Sequence, residues 1–140
     1  MSKTELPPIC GLWGGVYRYD FDDLNVPFSA WINSQAEALV GTTLEPNTFA
    51  PPQFEELSAE IAGQVIGRQV ILYKRYDPSC GAHPETVSYF GKIDDDGQSI
   101  EGSWRMSSRD DIVEGWFRMW RVQTSANARK LNTAIVKLSR

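Results

Sequence analysis

From Gly11 onward, apolar and polar residues alternate in short stretches that are separated by clusters of glycine, proline, asparagine and aspartate. A period of two places successive side chains on opposite faces of a β-strand, and the intervening residue types favour turns. Because no long helical stretch interrupts this pattern, it predicts an all-β fold: an eight-stranded antiparallel up-and-down β-barrel. The predicted strands lie near 11–19, 26–33, 37–44, 55–63, 65–76, 86–93, 98–106 and 113–122.

The connections between these strands fall into two length classes. The clearest tight turn is 94–97 (DDDG), where glycine supplies the positive φ of a close return. In contrast, Pro46, Pro51 and Pro52 mark 45–54 as a loop, since proline cannot donate to a β-ladder. We therefore expect one closed end and one open end, because alternate connections are long: 20–25, 45–54, 77–85 and 107–112.

After Val122 the apolar spacing becomes helical. Ser125 is a suitable N-cap, and the pattern predicts a short amphipathic helix over about 125–138. Its apolar positions are Ala128, Leu131, Ile135 and Leu138. Such a helix is marginal alone, so we expect it to lie on the barrel or on a neighbouring subunit. The chain of 140 residues is thus predicted to be one domain, with a barrel at about 11–122 and a helical tail.

Strand alternation also assigns each side chain to a face, and we expect the less charged face to line the interior. On the last four strands this face carries Val70, Leu72, Lys74, Tyr76, Val87, Tyr89, Gly91, Ile93, Ile100, Gly102, Trp104, Met106, Gly115, Phe117, Met119 and Arg121. Earlier strands add Trp13, Tyr17, Phe28, Ala30, Ile32, Val40, Leu57, Ala59 and Ile61. Lys74 and Arg121 are cations, and an inward-facing cation needs a partner.

The opposite faces carry a group of aromatic side chains. These are Tyr73, Phe90, Trp116 and Trp120 on the later strands, with Trp31 on the second. A contiguous exposed aromatic group usually has a cover, so we predict that the tail or a second copy of the chain lies there. On these grounds we expect the chain to form a homo-oligomer, in which the partner is a second copy of the same chain.

Composition and charge exclude several classes of protein. The net charge is −4, yet the last 18 residues carry four cations and no acid, so the preceding residues carry −8. Such a body repels phosphate backbones, and we predict no nucleic-acid partner. No apolar run is long enough for a secretory signal or a membrane span, which predicts a soluble, cytoplasmic protein without a membrane partner.

Few residues are suited to metal binding or nucleophilic catalysis. Cys10 and Cys80 form no CxxC pair and belong to opposite ends of the predicted barrel, so we expect free thiols and no thiolate metal site. His83 is the single histidine, and a Cys80–His83 pair lacks an orienting third group. No metal and no cofactor are predicted. The acidic residues in the open-end loops are expected to form a solvated rim: Asp20, Asp22, Asp23, Glu45, Asp77, Glu85, Asp110 and Asp111.

Two features resemble the calycin superfamily, the lipocalin-like and streptavidin-like barrels. They are the Gly11-Leu12-Trp13 opening of the first strand and Arg121 on the last strand. The resemblance implies that Arg121 packs on Trp13 and closes one end of the barrel. It also implies a small, largely apolar ligand inside the barrel, whose identity fold analogy does not supply.

Three functional hypotheses follow from the inward face. The first is a non-catalytic barrel that binds a ligand through Leu72, Lys74, Tyr76, Tyr89, Trp104, Phe117 and Met119. The second is an isomerase- or cyclase-type enzyme, in which a desolvated Lys74 acts with Tyr76 or Tyr89. The third is a filled barrel that serves as a structural or interaction module through its outer aromatic residues. We favour the first, with Trp13 and Arg121 as purely structural residues.

Overall fold

Eight antiparallel strands form a closed barrel in consecutive order, β1 to β8, and β8 pairs with β1. The computed structural model describes residues 9–50, 52–82, 85–108 and 111–122. The strands are β1 Gly11–Tyr19, β2 Asn25–Gln35, β3 Ala38–Pro46, β4 Glu56–Ile66, β5 Gln69–Tyr76, β6 Val87–Ile93, β7 Ser99–Ser108 and β8 Asp111–Arg121. The all-β, eight-stranded antiparallel barrel predicted from the sequence is confirmed.

Three connections differ from the sequence-based prediction. The return between β4 and β5 lies at 67–68, where Gly67 has φ of +60°, so β4 is longer and β5 starts later than expected. The connection after β7 is not long, because Ser108 and Asp111 already pair across the hairpin. Long loops, 47–55 and 77–86, therefore follow β3 and β5, whereas the connection after β1, 20–24, is only as long as that after β6, 94–98. The 94–97 turn is confirmed, with Gly97 at φ of +75°.

The inward faces are buried or partly buried as the alternation predicts, with one exception. Leu72, Tyr89 and Phe117 are all less than a tenth exposed. Val40, however, is 56% exposed, and Leu39 lies inside in its place. The rule that the less charged face points inward fails on β3, because its interior side ends in the charged residue Glu45.

Trp13 and Arg121 close one end of the barrel. The Trp13 ring is fully buried, and its indole Nε1 donates to the carbonyl oxygen of Ile9 at 2.8 Å. The guanidinium carbon of Arg121 lies 4.6 Å from the centre of the Trp13 ring, and Nη1 donates to the carbonyl oxygen of Cys10 at 2.9 Å. A planar cation on an aromatic face therefore joins the first and last strands.

The outer aromatic residues are exposed, between 37% for Trp116 and 50% for Trp31. The self-association that they predict stays a prediction, and the expected helix at 125–138 lies outside the described residues. The described part of the chain contains a single short helix, the 3-10 turn Pro78–Cys80, and no helical segment with the length and hydropathy that a membrane crossing requires. Cys10 and Cys80 are both free thiols.

Replacing Arg121 with lysine keeps the charge but removes the planar guanidinium that lies on Trp13. We expect the free energy of unfolding, measured by urea denaturation, to fall by about 1–2 kcal/mol. Arg118→Lys is the matched control, because Arg118 lies on the same strand, is exposed, and stands 3.9 Å from Glu101. Equal losses in the two variants would show that the Arg121 contact does not hold the closed end.

Candidate functional site

Glu45 lies inside the barrel near the end that carries the long loops. It is 1% exposed and is the last residue but one of β3. Its assignment to the acidic rim was therefore wrong. Leu39, Thr43 and Glu45 are separated by multiples of two residues, so they lie on the same, inward side of β3. The strand continues to Pro46 instead of ending at 44.

Three side chains from two other strands donate hydrogen bonds to the Glu45 carboxylate. Lys74 Nζ donates to Oε1 at 3.0 Å, and the Tyr76 hydroxyl donates to the same oxygen at 2.9 Å. The Tyr17 hydroxyl donates to Oε2. Glu45 is thus the carboxylate partner that the inward-facing lysine required.

The ammonium group of Lys74 is surrounded by aromatic rings. Its Nζ lies 4.7 Å from the centre of the Tyr76 ring, 5.1 Å from that of Tyr17 and 5.2 Å from that of Tyr89. Ring faces carry negative electrostatic potential, so they stabilise the cation where water is excluded. We call Tyr17, Glu45, Lys74, Tyr76 and Tyr89 the polar cluster.

Burial and charge determine the protonation of the polar cluster. Burial, reinforced by the Glu45 carboxylate, raises the pKa of Tyr17 and Tyr76 above the ordinary range of a phenol. Burial by itself favours a neutral Lys74, but the Tyr89 phenol and Glu45 outweigh it and raise the pKa of Lys74 above its ordinary value. At neutral pH, Lys74 is therefore a cation among neutral phenols.

This protonation state bears on the enzyme hypothesis. A lysine that acts as a base or forms a Schiff base needs a pKa lowered toward neutrality. The raised pKa of Lys74 and its ion pair with Glu45 work in the opposite direction. Lys74 is therefore held as a charged ammonium beside Glu45 and not as a free amine.

Aromatic side chains complete the wall beside the polar cluster. The Trp104 ring meets Tyr17 edge-on, with ring centres 5.8 Å apart, and its Nε1 donates to the carbonyl oxygen of Arg18 at 3.2 Å. This position depends on Gly115, since a Cβ there would stand 2.7 Å from Trp104 Nε1. Glycine on the facing strand therefore makes room for the indole.

A small cavity adjoins Lys74 inside the barrel. Its volume is about 20 Å³, and it is lined by Phe28, Ala30, Thr43, Ile61, Leu72, Lys74, Tyr89, Phe117 and Met119. This is room for about one water molecule. The cavity is apolar on most sides and polar at Thr43, Lys74 and Tyr89.

Phe49 covers the cluster on the loop side. Its ring meets Tyr76 edge-on, with the ring centres 5.3 Å apart, and Phe49 itself is 39% exposed. Asn47 holds this turn, because its Oδ1 accepts from the amides of Phe49 and Ala50 at 3.0 and 2.7 Å. A four-residue turn, 47–50, thus places an aromatic ring against Tyr76. We call this segment the Phe49 turn.

The structure brings together most of the predicted binding residues. Five of the seven line the cavity: Leu72, Lys74, Tyr89, Phe117 and Met119. Tyr76 belongs to the polar cluster, and Trp104 packs on its far side against Tyr17. The sequence reasoning missed Glu45 and Thr43, although continuing the inward alternation from Leu39 would have found both.

The other candidate groups from the sequence are Cys80, His83 and the acidic residues of the predicted rim. Cys80 Sγ lies 3.8 Å from the hydroxyl of Ser58, on the loop side of the barrel, and His83 and Asp110 lie outside the described residues. Within the described ranges, no three His, Cys, Asp or Glu side chains are grouped closely enough to hold a metal ion. The polar cluster and its cavity are therefore the candidate site.

Comparisons of this chain with protein-family profiles, with curated proteins and with solved structures find no match. The calycin resemblance accordingly stays a prediction. Because a barrel fold supports many activities, the function depends on the site and not on the fold.

The Glu45–Lys74 pair makes a double-mutant cycle informative. Glu45→Gln and Lys74→Met each leave one buried charge without its partner, and each should lower the free energy of unfolding by about 3–5 kcal/mol. The double variant should lose less than the sum of the two, because no uncompensated charge remains. Urea denaturation measures all three. Strict additivity would contradict a buried ion pair. Asp95→Asn is the control, because Asp95 is exposed and pairs with Arg68; this variant should show no measurable loss of stability.

The raised pKa values of Tyr17, Tyr76 and Lys74 predict loss of stability at alkaline pH. These groups keep their protons in the folded barrel, whereas in the unfolded chain they titrate from about pH 10. The contribution of these three groups to stability should be constant below that pH and should be lost as pH rises further. Urea denaturation midpoints measured from neutral to alkaline pH test this prediction. The loss of stability with rising pH should be shallower in Tyr76→Phe. Tyr73→Phe, on the outer surface, should show the same dependence of stability on pH as the wild type. If Tyr76→Phe also showed the wild-type dependence, the assignment of the alkaline loss of stability to Tyr76 would be refuted.

Proposed function

We propose that this protein is a cytoplasmic binding barrel, without catalytic activity, that holds one small and largely apolar molecule beside Lys74. The observation that carries the proposal is the polar cluster: a buried ion pair and three phenols next to an apolar cavity. Two free thiols at opposite ends of the barrel support a reducing compartment.

The cost of the polar cluster favours a role beyond core packing. Removing a carboxylate and an ammonium from water costs several kcal/mol per ion, and apolar residues of similar size often stabilise a core as well or better. A barrel that needed only a filled interior would be served by such residues. Polar groups that converge on an apolar cavity are typical of a site that orients a ligand.

The size of the cavity limits how a ligand enters. About 20 Å³ does not hold an organic molecule, so we propose that binding enlarges the cavity at flexible or weakly covered positions. Met119 is one such flexible position, because its side chain in the cavity wall is unbranched and can change conformation. The Phe49 turn gives access from the loop side, because Phe49 packs on Tyr76, whose hydroxyl contacts Glu45.

Filling the cavity should block binding. Ala30 is 2% exposed and lines the cavity, so Ala30→Val should abolish saturable binding of benzene, followed through NMR shifts of the Trp104 indole. Ala62→Val is the matched control, because Ala62 is exposed on the outer face of β4 and the side chain grows by the same atoms. Urea midpoints of both variants establish that each is folded.

Two results would refute the proposed function. One is a wild-type protein that shows no saturable binding of benzene and that, when purified from its own host, retains no molecule detectable by native mass spectrometry. The other is equal binding by Ala30→Val and the wild type, which would place the probe outside the barrel.

A further inference from the structure

The hydroxyl of Thr43 is a buried polar group that the fold itself does not explain. Thr43 is 7% exposed, and its Oγ1 has no hydrogen-bond partner among the described residues. A buried hydroxyl without a partner is destabilising, and valine would have the same shape without that cost. Thr43 is also one of the residues that line the interior cavity.

Lys74 places a second donor group at the same cavity. An ammonium carries three N–H donors; Glu45 accepts from Nζ at 3.0 Å, and the centre of the Tyr89 ring lies 5.2 Å from Nζ. The remaining walls near Thr43 and Lys74 are hydrocarbon, from Ala30, Ile61, Leu72, Phe117 and Met119. The cavity thus combines a largely apolar wall with two groups that can donate a hydrogen bond.

We propose that Thr43 and Lys74 select a neutral ligand that carries one oxygen acceptor, such as a ketone, ester or amide, on an apolar body. This inference rests on the proposed function, since it concerns the ligand of the same cavity. The acceptor oxygen takes the place beside the Thr43 hydroxyl and the Lys74 ammonium. The apolar part of the ligand contacts Leu72, Phe117 and Met119.

Charge explains why a neutral acceptor is selected over an acid or an amine. The Lys74 charge is already balanced by Glu45, so a ligand carboxylate would bring a second negative charge into a dry interior. An ammonium ligand would likewise meet Lys74 at short range. A carbonyl oxygen gains donors without adding charge.

Three ring probes test this selection in the intact protein: benzene, acetophenone and benzoate. Acetophenone should bind roughly five- to tenfold more tightly than benzene, as one gained hydrogen bond implies, and benzoate should not bind. NMR shifts of Thr43 and of the Trp104 indole follow the titrations. Binding of benzene and acetophenone with equal affinity would overturn the acceptor proposal and leave the binding barrel intact. Binding of neither would remove the binding barrel itself.

Substitutions at Thr43 separate its hydroxyl from its shape. Thr43→Val should bind benzene as the wild type does and lose the preference for acetophenone, whereas Thr43→Ser should keep that preference. Thr42→Val, on the outward side of the same strand, should change neither affinity.

Thermal unfolding without any probe gives an independent readout of the Thr43 hydroxyl. Thr43→Val should unfold at the same temperature as the wild type or higher, because it removes an unsatisfied group. A lower unfolding temperature would show that an internal water satisfies the hydroxyl structurally, and it would overturn the ligand role.

Discussion

The buried pair of Glu45 and Lys74 constrains the strands around it. Each charge loses its hydration inside the barrel, and only close hydrogen bonds and ring faces compensate for that loss. The compensating groups come from β1, β3, β5 and β6, so all four strands must keep their register at the same level of the barrel. A slip of β3 by one residue would turn Glu45 outward and leave Lys74 unpaired in the core. The ion pair therefore specifies one register more sharply than apolar contacts would.

The interior of the barrel is filled by pairing large rings with glycines. Gly115 accommodates the Trp104 indole, and Gly15 accommodates Phe28, since a Cβ on Gly15 would stand 2.4 Å from the Phe28 ring. An eight-stranded barrel has just enough interior for side chains to fill. Among the described residues, a small gap in this filling lies beside Thr43 and Lys74, where the interior is also polar. Packing and polarity thus define the same site.

The sequence predicted the strands and most of the core because both depend on local alternation. Val70, Leu72 and Tyr76 were assigned correctly by period two alone. The errors arose where tertiary contacts override local pattern. Glu45 precedes a proline and was assigned to a loop. Its partner Lys74 lies 29 residues away, so the sequence showed only that an inward lysine needed a partner, and not that Glu45 is that partner. The size of the cavity was beyond prediction, because it depends on how side chains from six strands meet.

The closure of the barrel by Arg121 has a consequence for the order in which the chain can fold. The bond from Arg121 to the Cys10 carbonyl oxygen joins residues 111 positions apart, and the β1–β8 ladder spans nearly the whole described chain. Contacts between residues so distant in sequence slow folding, since a long loop must be ordered before they form. During synthesis, β1 has an unpaired edge until β8 has left the ribosome. Glu45 and Lys74, on β3 and β5, can meet well before that moment, so the charged interior of the barrel is able to form while one side of the sheet is still open.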